Sequence, residues 1–254
     1  MNESRLAAAR ERLRPYVERS IGFSGWILPT APTRLGPPQP WDYEARAREL
    51  LTGARSVLDL GTGGGERFAE ICTDYSGRAV ATEEWDVNAR VAADRLTPLG
   101  IDTVRATTQT LPFRDATFAV VLDRHEALTP LEVARVLAAG GTVLTQQVWR
   151  NWPELDAFFP RRTDFGDHFH AYQQGFSDAG LEIMDAREDD VPYAFSDLGE
   201  FVLQLSITSW VVPDFDPLGR DLEALLAFET AVMKPEGFDV SEGRYIIEAS
   251  KPLR

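Results

Sequence analysis

The stretch Val57 to Phe68, VLDLGTGGGERF, decides how this chain is read. An apolar run carrying one acid, Asp59, meets four glycines in five positions, and a charged, helix-forming segment follows. Glycine at the end of a buried strand costs conformational entropy. It is useful there only where the backbone turns into the left-handed region or where another group must approach it closely.

The pattern on either side supplies the architecture. Ser56–Leu60 reads as a buried strand, and a helix is expected over Glu66–Tyr75, with Phe68, Ile71, Cys72 and Tyr75 on one face. Arg78–Glu83 is the next strand and Asp86–Leu99 the next helix, closed by Gly100. Thr103–Ala106 is a third strand, and Phe118–Leu122 a fourth, apolar throughout like a central parallel strand. Thr129 and Glu132 predict a capping box with Pro130 at the first helical position, and Gly140-Gly141 is expected to stop that helix before a strand over Thr142–Val148. A helix over Asp167–Ala179, a strand starting at Leu181–Met184 and a last strand over Gly243–Ser250 complete the series. Repeated strand–helix–strand units predict an α/β fold with a doubly wound, Rossmann-like, mostly parallel sheet and helices on both faces. Residues 1–55 and about 191–240 fall outside the alternation. The first is expected to form a helical, proline-rich lid, and the second a helical cap inserted late in a domain spanning 56–254.

Composition narrows the function. One cysteine, Cys72, among 254 residues excludes an internal disulfide and points to a reducing, cytoplasmic setting. The N-terminus MNESRLAAARERLR has no signal-like apolar core, and Phe201–Val212 is too short and too interrupted to span a membrane. A net charge of −14 and a pI near 4.7 repel phosphate backbones, so neither nucleic acid nor a membrane is an expected partner.

A strand, a glycine loop and a helix start form a place for a ligand to lie against backbone. A dinucleotide would want G-x-G-x-x-G, but Glu66 stands at the third small position, and no Gly-Lys-Ser/Thr of a P-loop follows. The run instead fits D-x-G-x-G-x-G through Asp59, Gly61, Gly63 and Gly65. This resembles the first motif of the class I S-adenosylmethionine-dependent methyltransferases of small-molecule type, and ATTQTLPFRDATFAVVL and EVARVLAAGGTVL resemble later parts of that family in the same order. The resemblance implies S-adenosyl-L-methionine as cofactor and S-adenosyl-L-homocysteine as its product. It places Asp59, Gly61, Thr62, Gly63 and Gly65 around the methionyl part, and Asp123 near the same group. Glu83, 24 residues after Asp59, is implied at the ribose diol, with its neighbour Glu84 as the rival ligand. Trp85 is implied at the adenine face and Thr107 or Thr108 at its edge, although the family often has an aspartate where Thr107 stands.

The acceptor is expected beyond the fourth and fifth strands. Asp123-Arg124-His125-Glu126 offers His125 as a general base, because imidazole titrates near neutrality, with Glu126 or Asp123 to orient it. Gln146, Gln147 and Asn151 offer neutral hydrogen-bonding groups, and His168, Trp41, Tyr43, Arg124 and Trp210 are further candidates for substrate contact. His168 and Tyr172 stand four apart on one helix face with His170 elsewhere, too few ligands for a metal, and none is expected. No Asn/Asp-Pro-Pro-aromatic motif follows the fourth strand, and Cys72 lies on an apolar helix face; both point away from nucleic-acid methylation. The expected reaction is methyl transfer to a small molecule, at oxygen or nitrogen before carbon. The alternatives are a cofactor-binding protein of the same fold with a non-methylating or regulatory role, and an interaction protein that uses its caps as a partner surface.

Overall fold

The computed structural model describes residues 3–26 and 32–253. In chain order the elements are α1 (Glu3–Ser20), β1 (Thr33–Arg34), α2 (Tyr43–Leu51), β2 (Ser56–Leu60), α3 (Glu66–Ile71), β3 (Arg78–Glu83), α4 (Asp86–Leu96), β4 (Asp102–Arg105), β5 (Phe118–Arg124), α5 (Pro130–Val136), β6 (Leu137–Asn151), α6 (His168–Asp178), β7 (Glu182–Phe195), α7 (Leu198–Ile207), α8 (Leu222–Val232) and β8 (Phe238–Ser250). The strands form one sheet in the order β1-β7-β8-β6-β5-β2-β3-β4. Neighbours from β6 through β4 are parallel, whereas β8, β7 and β1 add antiparallel edges. The strand order reverses between β2 and β5, so their carboxyl ends flank the crevice where ligands enter such sheets.

Each face of the sheet is sealed by its own apolar layer. Leu58, Leu60, Phe118 and Val121 pack with Val133, Phe169 and Phe176 of α5 and α6. Val57, Val120, Leu122 and Ile246 pack with Ala47 and Leu51 of α2, Phe68 of α3 and Ala92 of α4. A carboxylate–guanidinium fork pins α2 further: Arg46 donates to both oxygens of Glu248 on β8, each at 2.7 Å. Although α2 lies within the first 55 residues, it covers the sheet, and only α1 goes to the cap.

Several boundaries differ from expectation for local reasons. The helix after the glycine loop ends at Ile71 rather than Tyr75, with Cys72 as C-cap, and the Thr73 hydroxyl donates back to the Glu70 carbonyl at 2.9 Å. Thr129 takes the N-cap position without a side-chain bond. Glu132 is drawn away from the expected capping box, accepting instead from the Leu111 N–H and from Arg135, each at 2.8 Å. That helix ends at Val136, before Gly140-Gly141, and the glycines lie inside the entry to β6.

The last two strands are much longer than expected, and this explains the cap. The pairings Asn151 with Glu242 and Phe195 with Phe238 show the β7–β8 ribbon running on past the carboxyl end of β6. Its tip carries Phe195, Phe238 and Val240 into a separate core with Leu6, Ala9 and Leu13 of α1, Phe201 of α7 and Phe228 of α8. The two segments outside the sequence alternation thus meet each other above the edge that bears the glycine loop. Leu13 is fully buried in this core. Leu13→Ala is expected to cost about 2–5 kcal/mol of cap stability, to be read as a lower urea midpoint. Unchanged unfolding would mean that α1 does not hold the cap.

Candidate functional site

The glycine loop links β2 to α3. Gly61, Gly63 and Gly65 all sit at positive φ, 59°, 62° and 77°, so the backbone needs glycine there. Two bonds shape the loop: the Thr62 N–H donates to the Thr82 carbonyl at 2.9 Å, and the Gly65 N–H to the Thr62 carbonyl at 3.0 Å. A third ties it to the next strand. Glu83, at the end of β3, receives the Gly63 N–H on one oxygen at 2.7 Å and the Trp85 N–H on the other at 2.9 Å. Each oxygen keeps a lone pair, so a vicinal diol beside Gly63 can donate to both. Glu84 is exposed, and Trp85 follows as the half-exposed N-cap of α4. Thr108 is buried and donates to the Ala127 carbonyl, while the Thr107 hydroxyl accepts from the Gln109 N–H at 3.3 Å.

Carboxylates crowd this edge. Burial pushes Asp59, at the end of β2, up to about 7; the Thr62 hydroxyl and Arg124 oppose the shift and Glu83 adds to it. Burial, Glu83 and Glu84 push Glu126 up to about 7 as well, against the Ala127 N–H. The Glu126 side chain lies over Gly61, where a Cβ would strike it, and Trp26 covers Gly63 in the same way. A ligand reaching Gly61 shares that space with Glu126, whose carboxyl makes one hydrogen bond, from the Ala127 N–H at 3.1 Å. Asp123 is fully buried and its oxygens are spoken for. It accepts from the Thr145 hydroxyl at 2.9 Å, Gln147 Nε2 at 2.8 Å and the Glu126 N–H at 3.3 Å. Its pKa is held well above the usual carboxylate range by burial.

A second cluster stands beside the first. The Trp41 indole N–H donates to Gln146 Oε1 at 2.7 Å and Gln39 Nε2 donates to the same oxygen at 3.0 Å, so the Gln146 amide nitrogen is turned toward His125 Nε2, 3.5 Å away. His125 has φ 69°, and its N–H donates to the Gln146 carbonyl at 2.8 Å. Its ring is exposed, yet protein surrounds it on most sides, the situation of a side chain on the floor of an open cleft. That crowding, with Arg124 and Arg244, holds the imidazole well below its ordinary range. Neither Glu126 nor Asp123 orients the ring, because Glu126 faces Gly61 and Asp123 is consumed by Thr145 and Gln147. Tyr43 of α2 is buried near Asp59, Asp123 and Arg124, and its hydroxyl has no hydrogen-bond partner among the described residues.

The structure therefore brings the glycine loop, Asp59, Glu83, Trp41, Tyr43, Arg124, His125 and Gln146 to one edge. Gln147 serves Asp123; Asn151 lies at the far end of β6, and exposed His168 sits on α6 against Tyr172. Trp210 meets Trp26 edge-on at 5.9 Å, above Gly63 rather than beside Trp41. Gln39 and Arg244 were not legible as site residues: one lies in a proline-rich run, the other inside a strand. Among the described residues no three His, Cys, Asp or Glu side chains stand together as a metal site, and no helix is long and apolar enough to cross a membrane.

This sheet order, with a glycine loop after the first parallel strand and an acid ending the next, makes an open, mostly parallel Rossmann-like fold. Residues 58–145 match the family described as methyltransferase domain. No curated protein matches the sequence. Solved structures share the fold at low identity. A functionally unknown protein from Deinococcus radiodurans is 17% identical over 95% of this chain and 100% of its own, with a TM-score of 0.64. A provisionally named methyltransferase from Bacillus halodurans is 19% identical over 82% and 98%, with a TM-score of 0.58. A 4+2 cyclase is 18% identical over 97% of both chains, with a TM-score of 0.54.

The raised Asp59 gives a sign that can be measured. The folded chain keeps this proton from its ordinary 3.8 up to about 7, so the group's contribution to stability falls as pH rises through that window and is level above it. Thermal melts of wild type and Asp59→Asn across the window are expected to diverge, with the variant gaining relative stability toward the upper end. Parallel curves would place Asp59 in a wetter setting.

Proposed function

We propose that the protein transfers the methyl group of S-adenosylmethionine to a small-molecule acceptor, at oxygen or nitrogen before carbon. The observation that carries this reading is Glu83 at the end of β3, bonded through both oxygens to the backbone of the glycine loop and of the α4 N-cap, inside the matched domain. When bound, the cofactor supplies a methyl group already activated by its sulfonium. The chain's part is to hold and align. Glu83 takes the ribose hydroxyls, the glycine loop lies along the methionyl part, and Asp59 adds a carboxylate whose ionisation a nearby cation would favour. Trp26 over Gly63, with Trp210 edge-on against it, shields the donor from water.

His125 is the base in this reading. Gln146 presents an N–H₂ to its Nε2, so the neutral ring carries its lone pair on that nitrogen, and the 3.5 Å contact leaves the lone pair little committed. Trp41 and Gln39, which set that amide, belong to the segment that would close over an acceptor. The single cysteine and the acidic surface support a cytoplasmic setting and an acceptor other than nucleic acid. Because a cyclase shares the fold, binding alone does not establish transfer, and labelled methyl turnover with a pool of acceptors is the deciding assay.

Two outcomes are expected. Calorimetry should show micromolar binding of S-adenosylhomocysteine and none of NAD, and Glu83→Ala should weaken the former about tenfold or more, the worth of a charge-assisted contact. Binding of NAD alone would sink the assignment, and loss in Glu84→Ala instead would move the ribose contact by one residue. With an acceptor from the pool in hand, His125→Ala should lower kcat about 10²–10⁴-fold and leave cofactor binding intact. Since its pKa is depressed, the wild-type rate should stay level through neutral pH and fall only in acid, below about 6.5. A rate unchanged per folded molecule would make His125 structural.

A further inference from the structure

Arg124 ends β5 at the crevice, half-buried, and among the described residues it has neither a hydrogen bond nor an ion pair through its guanidinium. This is unusual for its setting. Arg55 and Arg114 also lack carboxylate partners, but they lie in solvent. The acids around Arg124 do not neutralise it. Glu44 is engaged by Arg67 at 3.3 Å and Arg48 at 3.7 Å, and Asp59 is only partly ionised near neutrality. Arg67 and Arg244 stand close enough, with burial, to depress the Arg124 pKa, so its surroundings add positive potential in a chain whose net charge is −14. A half-buried guanidinium at the crevice without a counter-charge is open to an anionic ligand that completes the pair.

We infer that Arg124 receives a carboxylate of the acceptor, so that the substrate class is a small organic acid held by its carboxyl group against the guanidinium, between Tyr43 and His125. This rests on the proposed methyl transfer. The neighbours argue for one negative charge rather than two. A single guanidinium forks onto a single carboxylate, while Asp59, Glu83 and Glu126 at the same edge resist a phosphate dianion. Arg244 is not the receiver, because its guanidinium already holds Glu242 at 2.6 Å and lies over the Tyr193 ring. A carboxylate anchored at Arg124 sets the rest of the acceptor beside His125, the next residue, at the edge where the methyl donor is proposed to lie. The same chemistry has a second source, the carboxylate of the cofactor's own methionyl part, and the test separates the two.

The experiment measures calorimetric binding to wild type, Arg124→Gln and Arg124→Lys, both free and saturated with S-adenosylhomocysteine. The probes are benzoate, cinnamate and indole-3-acetate, each against its amide. At least one carboxylate should bind wild type while its amide does not. Arg124→Gln should lose about tenfold or more of that affinity, Arg124→Lys should keep part of it, and S-adenosylhomocysteine should bind all three proteins alike, which also shows that they are folded. Acids and amides bound equally, acids bound by none of the proteins, or acids bound undiminished by Arg124→Gln would overturn the inference. So would a loss in Arg124→Gln confined to S-adenosylhomocysteine and absent for 5′-methylthioadenosine, which lacks the carboxylate; that result assigns Arg124 to the cofactor. Failure of wild type to bind S-adenosylhomocysteine would instead overturn the methyl-transfer reading, and the carboxylate measurements on the free protein would still decide the role of Arg124.

Discussion

Glu83 receives the Gly63 N–H and the Trp85 N–H on separate oxygens, and this pair of charge-assisted bonds fixes the glycine loop against the end of β3. The loop needs such a tie. Three of its glycines take positive φ, so the segment is conformationally free until something holds it. Holding it with a carboxylate brings a second consequence. Glu83 is buried within reach of Asp59 and Glu126, and burial raises all three toward their protonated forms. Around the loop these carboxylates gain from a cation. A sulfonium beside the loop supplies that charge, which is the physical link between the geometry of one strand end and the proposed donor.

The cap follows from a different constraint. A β-ribbon of two long strands leaves the sheet beyond β6, and its outer half carries apolar residues with nothing of the sheet to cover them. Helices α1, α7 and α8 bury that tip, so the chain's beginning and its late insertion complete one core. Trp26 lies over Gly63 of the loop and meets Trp210, just after α7, edge-on.

The parallel part of the sheet was legible because its signals are local: apolar strands, helix periodicity and glycine stops fall in strict alternation. The glycine loop and Glu83 were legible because spacing along a βαβ unit translates directly into position. The long antiparallel ribbon was not, since Asp185 to Asp190 hold five charged residues and one alanine and become strand only through pairing with β8. Likewise, Asp123 looks available from its place at a strand end, and only the tertiary fold shows Thr145 and Gln147 consuming it. Glu126 looks like a partner for its neighbour His125. The turn between them sends it instead over Gly61, a contact between residues 65 positions apart that no local pattern encodes.

That turn is itself informative. His125 adopts a left-handed backbone that costs a non-glycine residue about 1–3 kcal/mol, and its N–H bond to the Gln146 carbonyl holds it there. The strain aims Glu126 at the loop and the imidazole at the Gln146 side chain, from one residue step. Gln146 in turn takes its orientation from Trp41, whose indole N–H can only donate and so fixes which end of the amide is oxygen. The segment bearing Gln39 and Trp41 is thus coupled to the protonation state of His125 through a single amide. The amide N–H₂ held in this way opposes a proton on His125 Nε2. Crowding, Arg124 and Arg244 already hold the imidazole neutral, and the amide adds a donor at Nε2 that a second proton there would have to displace.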